Sequence, residues 1–312
     1  MSSNLSKNIL ATIAYYDVMD YPMTAFEIWK YLITQTAEQK IADEEKKEFS
    51  LAEVIKELEN GKITRFVEKY RGFYFLKGRK DLVPQRLQRN KISEKKFKAI
   101  RKIVYALKFI PFVRMVAVAG RVAMKNAESK SDVDLCIIFK HGRIFTGRFL
   151  ATALIQIFGK RRYGEKIADR VCLNHFLSDK CEVSIKDLYS SHVYSFLVPV
   201  YNAEAFKEFQ EKNGWIKNYR SNFEAGINNR KEIKDSRFSK LTRVFLEKIL
   251  FPGWIERKME EWQVKRIQNN PKTQNPGGII IHSETELAFW PDFEKQGPRI
   301  FESFYEKILK LK

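Results

Sequence analysis

Asp132 and Asp134, two aspartates one residue apart, are the first candidates for chemistry in this 312-residue chain. They open an apolar run, Leu135-Cys136-Ile137-Ile138-Phe139, that reads as a strand buried on both faces. Side chains alternate along a strand, so both carboxylates project from one face with Cα atoms about 7 Å apart. Two such charges repel unless a cation sits between them, and a divalent ion with hard oxygen ligands, Mg2+ or Mn2+, is the usual solution. Upstream, Gly120 ends a buried strand, Val116 to Ala119, and turns the chain into a short helix expected over Val122 to Ala127. The free N–H groups and dipole at a helix start favour a phosphate. Arg121 adds a fork of donors suited to phosphate, and Lys125, one turn later, can support the same anion. A phosphate pocket beside paired carboxylates is what phosphoryl or nucleotidyl transfer requires.

This stretch resembles the nucleotidyltransferase superfamily related to DNA polymerase beta, whose signature is a strand ending in Gly-Ser, a helix, and then an Asp-x-Asp strand. Gly120 matches the glycine, Asp132 and Asp134 match the metal-binding pair, and Ser131-Asp132-Val133-Asp134-Leu135 matches the usual neighbourhood. The resemblance covers residues 112 to about 180; with the front end included, it is to bacterial nucleotidyltransferase-domain proteins with a winged-helix-like N-terminal region. It implies an NTP held through Mg2+ or Mn2+ on Asp132 and Asp134, with Gly120, Arg121, Lys125 and Ser131 around the nucleotide. It also implies transfer of a nucleoside monophosphate to an acceptor that the sequence does not identify.

Two departures bear on catalysis. Arg121 stands where the family has Ser, and either holds phosphate or fills the pocket. The family also places a third carboxylate on the next strand. Here that run is Val171-Cys172-Leu173-Asn174-His175-Phe176-Leu177, with no acid, and Asn174 aligns with the missing carboxylate. An amide can ligate a metal but cannot take a proton at neutral pH. Asp169 and Glu182 flank the run and substitute if the register differs. His175 is either a base or, as its alternating neighbours favour, a core histidine. These departures keep a second reading open: a catalytically inactive member of the fold that binds nucleotide, nucleic acid or a partner.

The elements that must position these residues form an α+β chain. Residues 1–81 read as a winged-helix-like domain. Its helices cover 5–17, a segment capped by Thr24 with Glu27, and another capped by Ser50 with Glu53 and stopped at Asn60-Gly61. Residues 34–49 read as loop or helix extension. Ile63 to Tyr70 and Phe73 to Leu76 form a hairpin about Arg71-Gly72. The third helix carries Glu53, Lys56, Glu57 and Glu59, a poor match to a phosphate-rich groove, whereas the hairpin is basic. A connecting helix over 82–111 leads into a nucleotidyltransferase-like mixed sheet over 112–200. That sheet carries a helix from Phe145 to Phe158. Residues 201–312 read as mostly helical, with helices over Ala203–Lys212, over 235–268 broken at Pro252-Gly253, and over Pro298–Leu311. Phe245, Leu246, Ile249, Leu250, Phe251, Trp254 and Ile255 are read as packing against the sheet in preference to lying in a membrane interface.

Charge supports the assignment. The chain carries 57 Lys+Arg against 38 Asp+Glu, net +19, and 44% apolar residues, which excludes intrinsic disorder. Residues 91–170 hold 19 basic and 6 acidic side chains, two-thirds of the excess, two of those acids being Asp132 and Asp134. The loop Lys160-Arg161-Arg162, with Arg143 and Arg148, surrounds the unit and suits a nucleotide or other polyanion, nucleic acid included. Three cysteines without metal or redox spacing point to a reducing cytoplasm. The longest apolar stretch, Phe149 to Phe158, is too short to span a bilayer, and the N-terminus lacks a signal-peptide core.

Overall fold

The computed structural model describes residues 4–34, 48–226, 232–249, 252–274, 277–290 and 293–311. The segment expected as loop or helix extension at 34–49 falls mainly on residues 35–47, outside the described residues. The chain is a mixed α+β protein with a three-stranded and a six-stranded sheet.

The N-terminal unit begins with α1 (Asn4–Asp17), β1 (Met23–Thr24) and α2 (Ala25–Lys30). It continues with α3 (Leu51–Leu58), α4 (Gly61–Thr64), β2 (Val67–Tyr70) and β3 (Phe73–Leu76). Both expected capping boxes form: Thr24 and Ser50 accept from the N–H groups of Glu27 and Glu53, whose carboxylates reach back. Helix α3 stops at Leu58, just before Asn60-Gly61 as expected; the Asn60 side chain then accepts from Lys62 N and caps α4, a further turn that takes up Ile63 and shortens the first strand of the hairpin. Arg71 and Gly72 both have φ > 0, as a two-residue turn matched to strand twist requires. Several of the hairpin cations are already engaged. Arg79 pairs with Asp17 and Asp20, while Arg71 and Lys80 lie over the Tyr70 ring.

Helix α5 (Leu82–Leu107) crosses to the larger sheet. There follow β4 (Val113–Ala119), α6 (Gly120–Ala123), β5 (Val133–Phe139), α7 (Ile144–Ile157), β6 (Val171–Ser178), α8 (Leu188–Ser195), β7 (Val198–Tyr201) and α9 (Ala203–Lys212). Next come α10 (Arg237–Ile249), α11 (Gly253–Gln268), β8 (Ile279–His282), β9 (Glu286–Trp290) and α12 (Phe293–Lys310). The sheet order is β7-β4-β5-β6-β9-β8, with β5 and β6 parallel and every other neighbouring pair antiparallel. The boundary expected after residue 200 therefore cuts the sheet: Tyr201 ends β7, and the hairpin β8–β9 supplies two more strands. The run Ile279-Ile280-Ile281, too short to assign by period, is one of them.

Two cores sandwich this sheet. Val133, Leu135, Ile137 and Phe139 pack with Ile144, Phe145, Ala151 and Ile155 of α7 on one face. Cys136 and Ile138 pack with Tyr194, Phe206 and Phe209 of α8 and α9 on the other. A third cluster fills the N-terminal unit and draws in Leu188, Phe196 and, from α12, Phe304.

Helix α10 departs from the packing expected of the apolar stretch near residue 250, of which Leu250 and Phe251 lie outside the described residues. Its polar residues face the fold: Arg243 binds Asp235 and the Lys108 carbonyl, and Glu247 binds Arg114 and the Phe112 N–H. Phe238, Leu241, Phe245 and Ile249 are exposed in consequence, as is Trp254 at the start of α11. Among the described residues no helix is long and apolar enough to cross a membrane.

Candidate metal and phosphate site

Asp134 is the second residue of β5, and Asp132 immediately precedes the strand. The side chain of Asp134 alternates with Leu135, so it emerges on the α8–α9 face together with Cys136. Gly120 closes the site from β4. Its φ is +60°, and a Cβ there would overlap Asp134 Oδ2 and lie 3.3 Å from Cγ. Only glycine combines that backbone conformation with this approach to the carboxylate.

The third member of the group is Cys172. In the parallel β5–β6 register Cys172 pairs with Asp134 and His175 with Cys136, so Leu173 and Asn174 together oppose the single residue Leu135. This bulge sets Asn174 apart from the position beside Asp134 that the sequence alignment gives it. Ligand atoms of Asp132, Asp134 and Cys172 all lie within 4.8 Å of one another. Cys172 was legible in one respect: Arg170-Val171-Cys172 starts its strand as Asp132-Val133-Asp134 starts the neighbouring one. Matching the strand starts finds it; counting across the hidden bulge does not. Neither alternative acid arrives. Asp169 pairs with Lys96 at 2.6 Å, and Glu182 with Lys186 at 2.8 Å. His175 is buried between Tyr194 and Glu286, in keeping with the core reading.

Electrostatics mark the site as short of positive charge. Burial, and then the charge of Asp132, raises the Asp134 carboxyl to about 6, opposed by the Cys172 hydrogen bond and by Arg162. Burial and the same two aspartates push the Cys172 thiol up to about 12, so it remains a neutral S–H donor at pH 7. One cation answers them: Arg162 donates from Nη1 to Asp132 Oδ2 at 2.6 Å. Two carboxylate oxygens suit Mg2+ or Mn2+, whereas a thiol suits softer ions. Asp132 and Asp134 therefore fit a hard divalent ion, with Cys172 as the odd donor of the set.

The expected phosphate ligands are arranged differently from their sequence reading. The helix after Gly120 is one turn, Gly120–Ala123, and not Val122 to Ala127. It stops because Arg86 takes the Met124 and Lys125 carbonyls and Lys125 adopts φ +59°. A single turn sums few peptide dipoles, so any phosphate would meet individual donors and little helix dipole. Arg121 turns to Glu128 at 3.0 Å, and Lys125 Nζ lies 4.0 Å from Glu94. Ser131 Oγ accepts from Glu128 N, closing the turn before Asp132.

Sequence reasoning missed the residues that hold this loop. Arg86, Arg89 and Lys96 share one face of α5 at helical spacing. Arg89 binds Asn126 and Glu128, and Lys96, 4% exposed, binds the Ser129 and Ser131 carbonyls and Asp169. Part of the basic block thus reaches inward to fix the loop that delivers Asp132. Exposed Lys95, Lys98 and Lys102 on the same helix are solvated.

No protein-family model, curated protein or solved structure matches the chain.

Proposed function

We propose that the chain is a metal-dependent nucleotidyltransferase, related to the DNA polymerase beta superfamily, that transfers a nucleoside monophosphate from an NTP to an acceptor hydroxyl. The observation that carries this reading is the close approach of Gly120 to Asp134, beside Asp132, at the mouth of adjacent strands. Without a Cβ at Gly120 the Asp134 carboxylate can lie against the backbone beside Asp132, a place from which any side chain would displace it. Asp132 and Asp134 would hold a divalent ion, which would supply positive charge to the phosphates and to the leaving pyrophosphate. Arg162 neutralises Asp132 in the free protein and is close enough to move onto a phosphate. The new bond joins the acceptor oxygen to the α-phosphorus, the α–β bridge breaks, and its electron pair leaves on pyrophosphate. The acceptor proton passes to water, because neither the Cys172 thiol nor the Asn174 amide takes a proton at pH 7.

One observation favours a second reading, a nucleotide-binding or partner-docking module without catalysis. Cys172 occupies the β6 position beside Asp134, and Arg121 and Lys125 already face carboxylates. A single experiment separates the readings. The protein is incubated with each α-labelled NTP, Mg2+ or Mn2+, and RNA, an aminoglycoside or a protein hydroxyl as acceptor. Nucleotide binding with label transfer, both lost in Asp132→Ala and Asp134→Ala, is the expected result. Metal-dependent binding without transfer supports the second reading. Absence of nucleotide binding, or binding indifferent to both substitutions, overturns the enzyme and the nucleotide-binding module alike and leaves partner docking alone.

A further inference from the structure

On the opposite face of the sheet, α7, α11 and the β6–β9–β8 edge enclose a cavity of about 430 Å³. Three arginines line it, Arg148 from α7, Arg161 from the strand-like segment beside Val171, and Arg266 from α11. Among the described residues no carboxylate lines it and none pairs with any of the three. Arg148 is held in place by Gln263 Oε1 at 2.7 Å, with its guanidinium 4.8 Å from the Phe289 ring centroid. Arg266 lies over the Trp262 ring, 5.5 Å from its centroid. Burial, then Arg161 and Arg266, lower Arg148 to about 10, and burial and Arg266 lower Arg161 as well. Three like charges are thus assembled around a concave, largely apolar space with no counter-ion from the protein. The +19 chain has ample surface on which to spread its cations. Gathering them here, with aromatic rings beneath them, is the composition of an anion site with an apolar floor.

We propose that this cavity binds a small organic phosphate carrying a flat apolar group. The phosphate sits among Arg148, Arg161 and Arg266, and the apolar group lies against Trp262 and Phe289. The site is separate from the aspartate pair: Cys172 and Leu173, adjacent on β6, belong to opposite faces, Leu173 lining the cavity. It does not depend on the function proposed above.

The test is calorimetric titration of the full chain with phenyl phosphate, with inorganic phosphate and benzyl alcohol as the anionic and the neutral aromatic control. Phenyl phosphate should bind once per chain, and inorganic phosphate at least about tenfold more weakly, because it lacks the aromatic contact. Benzyl alcohol should give no saturable heat. Arg266→Gln, at the exposed rim, should weaken phenyl phosphate by about tenfold through loss of a charge-assisted donor. Ala153→Trp, which fills the cavity and keeps all three cations, should abolish binding. Asp132→Asn and Asp134→Asn should leave it unchanged. No saturation below about 10 mM overturns the proposal, that concentration corresponding to negligible affinity. Binding that survives both Arg266→Gln and Ala153→Trp, or that is lost in the aspartate variants, overturns it equally.

Discussion

The two faces of the strand pair β5–β6 carry opposite charge problems. On one face Asp132 and Asp134 crowd together with a protonated thiol and a single arginine. On the other, Arg148, Arg161 and Arg266 gather with no acid. Each face is short of a counter-ion among the described residues. The segment Lys160-Arg161-Arg162 serves both, Arg161 on one side and Arg162 on the other. Net charge therefore predicts neither face: a +19 chain crowds two aspartates together, and its basic block is divided among loop clamping, several ion pairs, the solvated face of α5 and one cavity.

The comparison breaks most visibly at Gly120. Gly120→Val forces a β-branched side chain into φ +60° and into the Asp134 carboxylate. It should destabilise the fold by on the order of 2–3 kcal/mol and abolish Mn2+-induced stabilisation, read by thermal melting with and without Mn2+. Phenyl phosphate binding by the fraction that remains folded should persist.

Asp134→Asn separates stability from metal binding. Because the folded carboxyl is raised to about 6, the folded state holds more protons than the unfolded one between about pH 4 and 6. Stability of the metal-free protein thus falls as pH rises through that window. The Asn variant should lose that slope and melt above wild type at pH 8, by on the order of 2 kcal/mol, with no difference below about pH 4. Added Mn2+ should reverse the order, raising wild type alone. A variant that melts below wild type at pH 8 without metal would show that the aspartate pair is not strained.

Cys172→Asp sharpens the acid face by supplying the third carboxylate. Mn2+ affinity should rise about tenfold by titration calorimetry, at some loss of metal-free stability from added repulsion. Unchanged affinity would mean that position 172 lies outside the metal's reach. The smallest effect is expected for Arg162→Gln, which removes the guanidinium competing for Asp132 Oδ2. Mn2+ should bind about two- to fivefold more tightly in it, with phenyl phosphate affinity held by the neighbouring Arg161.

Much of the fold was legible because local rules decided it. Thr24 and Ser50 announced their helices through capping boxes, and α9 ends at Lys212, just before Asn213-Gly214. The Asp132/Asp134 pair was legible for the same reason, since strand alternation alone puts both on one face. What escaped depends on pairings distant in sequence. The bulge at Leu173 and Asn174 exists only against Leu135 of another strand, and it exchanged Asn174 for Cys172. Arg121 looked available for phosphate because Glu128, seven residues on, gave no local sign of turning back. Helix α10 misled for a different reason. Its apolar stripe was read as core, but Arg243 and Glu247 found partly buried partners in Asp235 and Arg114 and turned that stripe outward.

Helix α12 has a consequence for how the chain is made. Phe304 is fully buried in the N-terminal core, and Lys307 pairs with Asp17 across 290 residues of sequence. Helices α2 and α3 and strand β3 can pack on α1 soon after it is made, but the part of its face that α12 covers stays bare until the intervening chain is synthesised. The N-terminal unit should therefore gain its full resistance to protease only once α12 has been released.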